Sequence, residues 1–255
     1  MKKGFFNVKT IAGLGLLTAM VVVLQLISNY VQFGPVSITL SLFPIAVGAM
    51  LYGPIGGFFL GLINGVIVLT APSTISFFFA FTPLGTIAVC LLKTSVAGLV
   101  AGFIFKLYHR NIKVEFVAAI LLVPILILIM TGEIFISMPA SLNWLKNILR
   151  FSIALTIVLL VFKGLVKPSK NSVILLTSLS VPIINTGLFI VGALTVFIGK
   201  IEPMAASSGQ NYLSFLIFAF IGWNFLLEFA INALLASAFH STYKSLEKNF
   251  SRKGR

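Results

Sequence analysis

Long apolar runs recur along the whole of this 255-residue chain, and this repetition restricts the folds open to it. Hydrophobic residues make up 59% of the sequence and charged residues only 9%, whereas a soluble domain carries about 25% charged residues. A water-soluble globule must cover its outside with polar groups, and this composition supplies too few. The sequence therefore predicts an all-α integral membrane protein, since a helix satisfies its backbone hydrogen bonds inside lipid.

The apolar runs predict about eight transmembrane helices within a single membrane domain, residues 1–255. Charged residues, Pro, Gly and Asn bound the runs, and about 20 apolar residues are enough for a helix to cross the hydrocarbon core. The predicted spans are 8–28, 37–52, 55–71, 81–105, 115–137, 148–166, 173–199 and 212–239.

The formal net charge of +13 arises from 18 Lys and Arg against 5 Asp and Glu. The basic residues lie between the apolar runs and at the two ends, without the aromatic interleaving of a nucleic-acid surface, so no nucleic-acid partner is expected. If the N-terminus is cytoplasmic, fourteen of them fall in inside segments and only Lys146, Arg150 and Lys200 in outside segments. Cytoplasmic loops are enriched in Lys and Arg, which predicts that both termini are cytoplasmic.

The second and third predicted spans are unusual for their length and for the turn between them. Residues 37–52 cover about 24 Å as a helix, which is short of the roughly 30 Å hydrocarbon core. The turn at Gly53-Pro54 carries no charge, and the pair is predicted to form a hairpin packed inside the bundle. Small residues at four-residue spacing let helix backbones approach closely. The stripe here consists of Gly53, Gly57, Gly61 and Gly65.

Ionisable and amide side chains inside predicted spans are candidates for a functional site, because such groups are costly in lipid. Glu228 shares one helix face with Asn224 and Asn232, at four-residue spacing. Lys93 lies in the fourth predicted span, where it pairs with a substrate carboxylate or a buried carboxylate, or extends toward the cytoplasmic interface. For these residues a substrate-binding role and a structural role between helices both remain open.

Two further segments carry candidate substrate-binding residues. Asn185 and Thr186 are neutral polar residues in mid-span, able to hydrogen-bond a ligand or a neighbouring helix. The loop at 29–35 mixes amides with aromatics, and Tyr30 and Gln32 within it suit a gate above an outward-facing pocket for a flat ligand. An aromatic belt at the membrane interface explains Tyr30 almost as well.

Enzyme classes find little support in the sequence. The chain has no Asp, its two histidines lie at predicted cytoplasmic ends, and its five Glu are scattered over different segments. A single cysteine, Cys90, rules out an internal disulfide and a cysteine metal cluster, and no cofactor is expected. The chain also lacks the Gly-x-x-x-x-Gly-Lys loop that binds nucleotide phosphates. A small-molecule transporter subunit is the favoured interpretation, with a stand-alone secondary carrier or, less favoured, an intramembrane enzyme as alternatives.

Four stretches in order along the chain carry a resemblance to a known family. The motif Ser-Ile-Thr-Leu-Ser-Leu-Phe-Pro-Ile at 37–45 and the motif Gly-Ala-Met-Leu-Tyr-Gly-Pro at 48–54 resemble the second and third helices of substrate-binding S-components of energy-coupling factor (ECF) vitamin transporters. The Pro-Ile-Ile-Asn-Thr-Gly segment at 182–187 resembles the family's penultimate helix. Residues 224–228, with Asn232, resemble its last helix.

The resemblance implies a six-helix subunit in the plasma membrane of a bacterium. Such a subunit captures a vitamin or related micronutrient from outside and docks on a transmembrane coupling subunit driven by two ATPase subunits. It implies that Gly15 and Ala19 on the first helix meet that coupling subunit. Its ligand would lie under the 29–36 loop. Family members are shorter than this chain, so 114–168 is predicted to be an extra transmembrane hairpin inserted into the six-helix core.

Overall fold

The computed structural model describes residues 8–33, 36–108, 170–216 and 221–252. The predicted spans at 115–137 and 148–166, and with them the predicted insertion at 114–168, lie outside the described residues. In chain order the elements are α1 (Val8–Ser28), β1 (Gln32–Phe33), β2 (Val36–Ser37), α2 (Leu42–Val68), a π-helical turn (Thr74–Phe79), α3 (Pro83–Tyr108), α4 (Lys170–Thr195), α5 (Ile198–Ser207), α6 (Tyr212–Phe215) and α7 (Gly222–Arg252).

Four of the described helices are long and apolar enough to cross a membrane, and the described part of the chain is almost entirely helical. They are Val8–Ser28, Leu42–Val68, Pro83–Leu107 and Val173–Thr195, and α7 contributes a shorter apolar stretch, Asn224–Phe239. This agrees with an all-α membrane protein, while the total of eight spans stays a prediction. The structure has a turn at residues 196 and 197, between α4 and α5, inside the predicted span at 173–199, and the bounds of the predicted spans stay predictions.

The second helix, α2, is broken near its middle by the Gly53-Pro54 turn. Gly53 has φ 76° and ψ −169°, a conformation that glycine adopts readily because it has no Cβ. Pro54 follows, and its ring removes a backbone N–H and favours a fresh helical start. The break divides α2 into two arms, 42–52 and 54–68, each shorter than the hydrocarbon core.

The two arms of α2 fold back on each other as a hairpin. A Cβ built on Gly48 would lie 2.1 Å from Cδ1 of Leu60, and the Ser41 hydroxyl contacts Oδ1 of Asn64. Neither contact is possible in a straight helix, where 12 residues span about 18 Å. The predicted hairpin is therefore present, but its first arm begins at Leu42 because residues 37–41 belong to β2 and an extended loop.

The glycine stripe on the second arm of α2 faces α3 directly. A Cβ on Gly61 would lie 2.2 Å from the carbonyl oxygen of Thr94, whose hydroxyl donates a hydrogen bond to the Gly61 carbonyl at 2.7 Å. Small side chains let the two backbones come this close. The stripe thus packs helices within this chain. The facing pairs are Gly57 with Gly98, Gly61 with Thr94 and Gly65 with Cys90.

A short β-hairpin connects α1 to α2 at the end of the bundle opposite Gly53. Gln32 pairs with Ser37, and Phe33 with Val36, in antiparallel register. The same end is joined to α2 by Asn29, whose Nδ2 donates to the Ile67 carbonyl at 3.3 Å. The strands and the loop that follows them therefore cover this end of the hairpin helix.

Candidate functional site

Two adjoining cavities lie beneath β2 and the loop after it. Their walls come from that loop, the π-helical turn, α3, α4 and α7. Four residues line both cavities, namely Val36, Thr39, Lys93 and Phe189. Residues 36–41, which comprise β2 and the loop after it, are called the covering loop. Both cavities are narrow, so a ligand larger than water needs this loop or the side chains around it to move.

The first cavity is built around packed aromatic rings. The Phe78 ring meets the Phe189 ring at 5.8 Å between centroids and 88° between planes, and the Phe197 ring at 4.8 Å and 56°. Edge-to-face and tilted pairs are favoured arrangements for aromatic rings. Hydroxyl and thiol groups supply the polar lining, from Ser37, Thr39, Thr74, Thr86 and Cys90.

The second cavity is richer in hydrogen-bonding groups. Asn185, Thr186, Asn224 and Glu228 all line it, so the structure brings together residues that the sequence placed on two separate helices. Asn185 is only 4% exposed. Its Oδ1 is buried and accepts no hydrogen bond in the described part of the chain. Buried polar atoms are nearly always paired, so this oxygen marks a place for a missing donor.

Glu228 and Asn224 hold the covering loop to α7. Oε1 of Glu228 accepts a hydrogen bond from the Thr39 backbone N–H at 2.7 Å, and Nδ2 of Asn224 donates to the Val36 carbonyl at 2.9 Å. The two side chains stand one helical turn apart on the same face. Together they fix Val36 and Thr39, three residues apart in the segment that follows β1, against the helix.

Asn232, the third member of that predicted polar face, has a different position. It does not line either cavity. The Ser178 hydroxyl donates to its backbone carbonyl at 3.2 Å, and its Nδ2 donates to the Glu228 carbonyl at 2.8 Å. The Ser178 contact joins α7 to α4. Asn224 and Glu228 therefore line the second cavity, while Asn232 packs against a neighbouring helix.

Lys93 lies in the wall common to both cavities. It is 6% exposed, and its Nζ lies 5.5 Å from the centre of the Phe189 ring. Within the described residues this ammonium makes no hydrogen bond and no ion pair, although Glu228 lines the second cavity beside it. The burial of the whole side chain does not fit an ammonium that extends to the membrane interface.

Three of the predicted residues, Tyr30, Gly15 and Ala19, stand apart from the two cavities. Tyr30 is 81% exposed and lines neither of them. Gln32 lies in β1 through its backbone pairing with Ser37. Gly15 and Ala19 are exposed on α1, and a Cβ on Gly15 would meet no atom within 4 Å.

The aromatic and hydroxyl lining of the first cavity was missed from the sequence. With 25 Phe in the chain, nothing in the pattern distinguished Phe78, Phe189 and Phe197 from lipid-facing phenylalanines. Thr39 had a signal, since it lies within the motif at 37–45, but it was not singled out.

A buried polar cluster behind the covering loop was also missed. Oγ of Ser28 accepts a hydrogen bond from the Leu40 backbone N–H at 3.1 Å, and the Ser41 hydroxyl donates to Oε1 of Gln25 at 2.9 Å. The loop is therefore held from α1 on one side and from α7 on the other.

A helical membrane protein with a buried polar site beneath a loop is the class that these features define. The family of substrate-specific components of ECF transporters has a model that matches residues 9–145, just over half of the chain. The chain belongs to this family, as the resemblance at 37–54 implied, and is a substrate-specific transporter subunit. The match continues into the segment beyond α3 that was predicted to begin an insertion. Searches of curated proteins and of solved structures gave no match.

Proposed function

We propose that this chain is the substrate-binding subunit of an ECF-type importer. It captures a vitamin or related micronutrient from outside the cell and delivers it through a transmembrane coupling subunit driven by two separate ATPase subunits. The observation that supports this best is the pair of adjoining cavities, which combines aromatic rings with buried Lys93, Asn185 and Glu228. A few placed polar groups within an apolar lining are typical of small-molecule sites.

The covering loop is the proposed entrance. Residues 36–41 are held by several hydrogen bonds. They run to α7 through Glu228 and Asn224, to α1 through Ser28 and Gln25, and to β1 through strand pairing. Each such bond contributes about 0.5–1.5 kcal/mol, or somewhat more where one partner is charged. Opening the segment breaks several of these bonds, and a ligand that forms new contacts with it would offset that cost and favour its closure.

Docking is assigned to α1. Gly15 and Ala19 lie one turn apart on an exposed face, and the space beside Gly15 is open. Small residues at this spacing let another helix approach closely within lipid. We propose that the coupling subunit packs on this face.

We also propose that this chain crosses the membrane eight times, with 114–168 as an inserted hairpin. Both of its termini would lie in the cytoplasm of a bacterium.

Reconstitution tests the proposal. The purified chain is placed in liposomes alone, or together with a coupling subunit and its two ATPases, and both are offered the small-molecule fraction of a bacterial extract. Mass spectrometry should find a metabolite accumulated only with the complete complex and only with internal ATP. Accumulation by the chain alone, without ATPases, would instead identify a secondary carrier.

A further inference from the structure

We infer that the substrate is a small acid whose anionic group pairs with Lys93, and that it also carries a hydrogen-bond donor for Asn185. This inference rests on the proposed function, because it assigns a chemical class to the molecule that occupies the same two cavities. Neither the family match nor the resemblance specifies that class.

Lys93 is a buried lysine without a direct anionic partner among the described residues. Its side chain is 6% exposed, and within the described residues the ammonium makes no hydrogen bond and no ion pair. Its neighbours of opposite polarity are the face of the Phe189 ring, at 5.5 Å, and the Glu228 carboxylate, which interacts with it electrostatically without direct contact. An ammonium carries three N–H donors, and burying it without acceptors is costly. A cation–π contact offsets only part of that cost. The site therefore needs an anionic acceptor that the described chain does not supply to Lys93 directly.

Glu228 lines the second cavity together with Lys93 and is a candidate counter-ion for it. Its Oε1 is already engaged by the Thr39 backbone N–H at 2.7 Å, which binds it to the covering loop. It lines only the second cavity, while Lys93 lines both. Glu228 thus holds the loop, and the ammonium remains available to a ligand bound across the two cavities.

The other residues that line the two cavities indicate which further groups the ligand carries. Asn185 lines the second cavity, and its Oδ1, which has no hydrogen-bond partner among the described residues, calls for an N–H or O–H donor. The first cavity offers the edges and faces of Phe78, Phe189 and Phe197, which suit an apolar or ring-shaped part. The inferred molecule therefore has an apolar body, one acidic group beside Lys93 and at least one donor beside Asn185.

The experiment uses the full-length protein in lipid nanodiscs. Wild type, Lys93→Met, Lys93→Arg and Lys106→Met are each incubated with the small-molecule fraction of a bacterial extract, and retained metabolites are identified by mass spectrometry. Lys106 is the matched control, because it is an exposed lysine in the last turn of the same helix. Monodisperse gel filtration establishes that each variant is folded.

We expect wild type and Lys106→Met to retain the same acidic metabolite, and Lys93→Met to bind it at least 30-fold more weakly. That factor corresponds to the lower end, about 2 kcal/mol, of the loss when one partner of a buried charged pair is removed. Lys93→Arg should recover part of the affinity, since the charge is kept. The neutral amide of the retained acid should bind wild type at least 30-fold more weakly than the acid, and this arm needs no variant.

Two failures are distinguishable. If wild type retains no metabolite above an unrelated membrane protein, the proposed function fails and the inference falls with it. If wild type retains a metabolite that is neutral or cationic, or if acid and amide bind equally, the protein is a binding subunit but the acid assignment is wrong.

Discussion

Glu228 shows how one buried side chain serves both the loop and the cavity. It is 4% exposed on α7, lines the second cavity and accepts the backbone N–H of Thr39. Thr39 is itself 3% exposed. Loss of the acceptor would leave a buried donor unpaired, which costs about 1–3 kcal/mol.

Replacing Glu228 with Gln or with Ala separates the hydrogen bond from the charge. The amide oxygen of Gln can still accept from Thr39, so we expect Glu228→Gln to unfold near the wild-type temperature. Glu228→Ala should lower the free energy of unfolding by about 1–3 kcal/mol, because the Thr39 N–H loses its partner. Thermal unfolding in detergent measures both. Equal stability of Glu228→Ala and wild type would show that this bond does not hold the loop.

At the scale of elements, two features position the site. One is the hairpin formed by α2, and the other is the close contact between the second arm of α2 and α3, called the seam here. The second arm of α2 lies so close to α3 that side chains are excluded at Gly57, Gly61 and Gly65. This close packing holds α3 along the hairpin. Lys93 is the residue immediately before Thr94, which bonds Gly61 across the seam, so the seam places the cavity-lining ammonium.

Gly61→Ala tests that seam. The added Cβ would lie 2.2 Å from the Thr94 carbonyl oxygen, and such overpacking costs about 1–3 kcal/mol. We therefore expect a lower thermal unfolding temperature. Gly187→Ala on α4 is the control, since its Cβ would meet nothing within 4 Å, and it should be neutral or slightly stabilising. Equal behaviour of the two variants would contradict close backbone packing at Gly61.

The exposed face of α1 carries the docking prediction. We expect Gly15→Leu and Ala19→Leu to abolish uptake by the assembled transporter while leaving ligand binding by the isolated subunit unchanged, because a bulky side chain keeps the partner helix away. Val191→Leu, at an exposed position on α4, controls for a larger apolar side chain elsewhere on the surface. Uptake in cells and binding to the purified subunit are the two measurements. Full uptake by both α1 variants would move the docking surface elsewhere.

On the scale of the whole molecule, the candidate site lies at one end of the described helical bundle. The loop after β2, the Asn29–Ile67 contact and the cavities lie at one end, and the Gly53 turn lies at the other. If the N-terminus lies in the cytoplasm, as the distribution of Lys and Arg predicts, the end of the bundle that holds the cavities would face outside. That orientation suits capture from the medium.

Cysteine labelling tests the orientation. Lys3→Cys and Gly254→Cys, each in a Cys90→Ser background, should resist membrane-impermeant thiol reagents in intact cells and react after permeabilisation. Gln210→Cys is the positive control, because this exposed residue lies between α5 and α6 in a segment predicted to be outside. Labelling of either terminal cysteine in intact cells would reverse the orientation.

The amino-acid sequence by itself determined the membrane class, the predominance of helix and the break in α2. Each depends on composition or on a local backbone preference, as at Gly53-Pro54. The resemblance at 37–54 likewise led to the family that the later match confirmed.

Only the tertiary structure decided which polar groups meet. Four-residue spacing put Asn224, Glu228 and Asn232 on one face, but their division between loop and helix depends on neighbours distant in sequence. The position of Lys93 without an ion pair among the described residues is of the same kind. A helical period states which residues share a face, and it contains no information about the element that packs against that face.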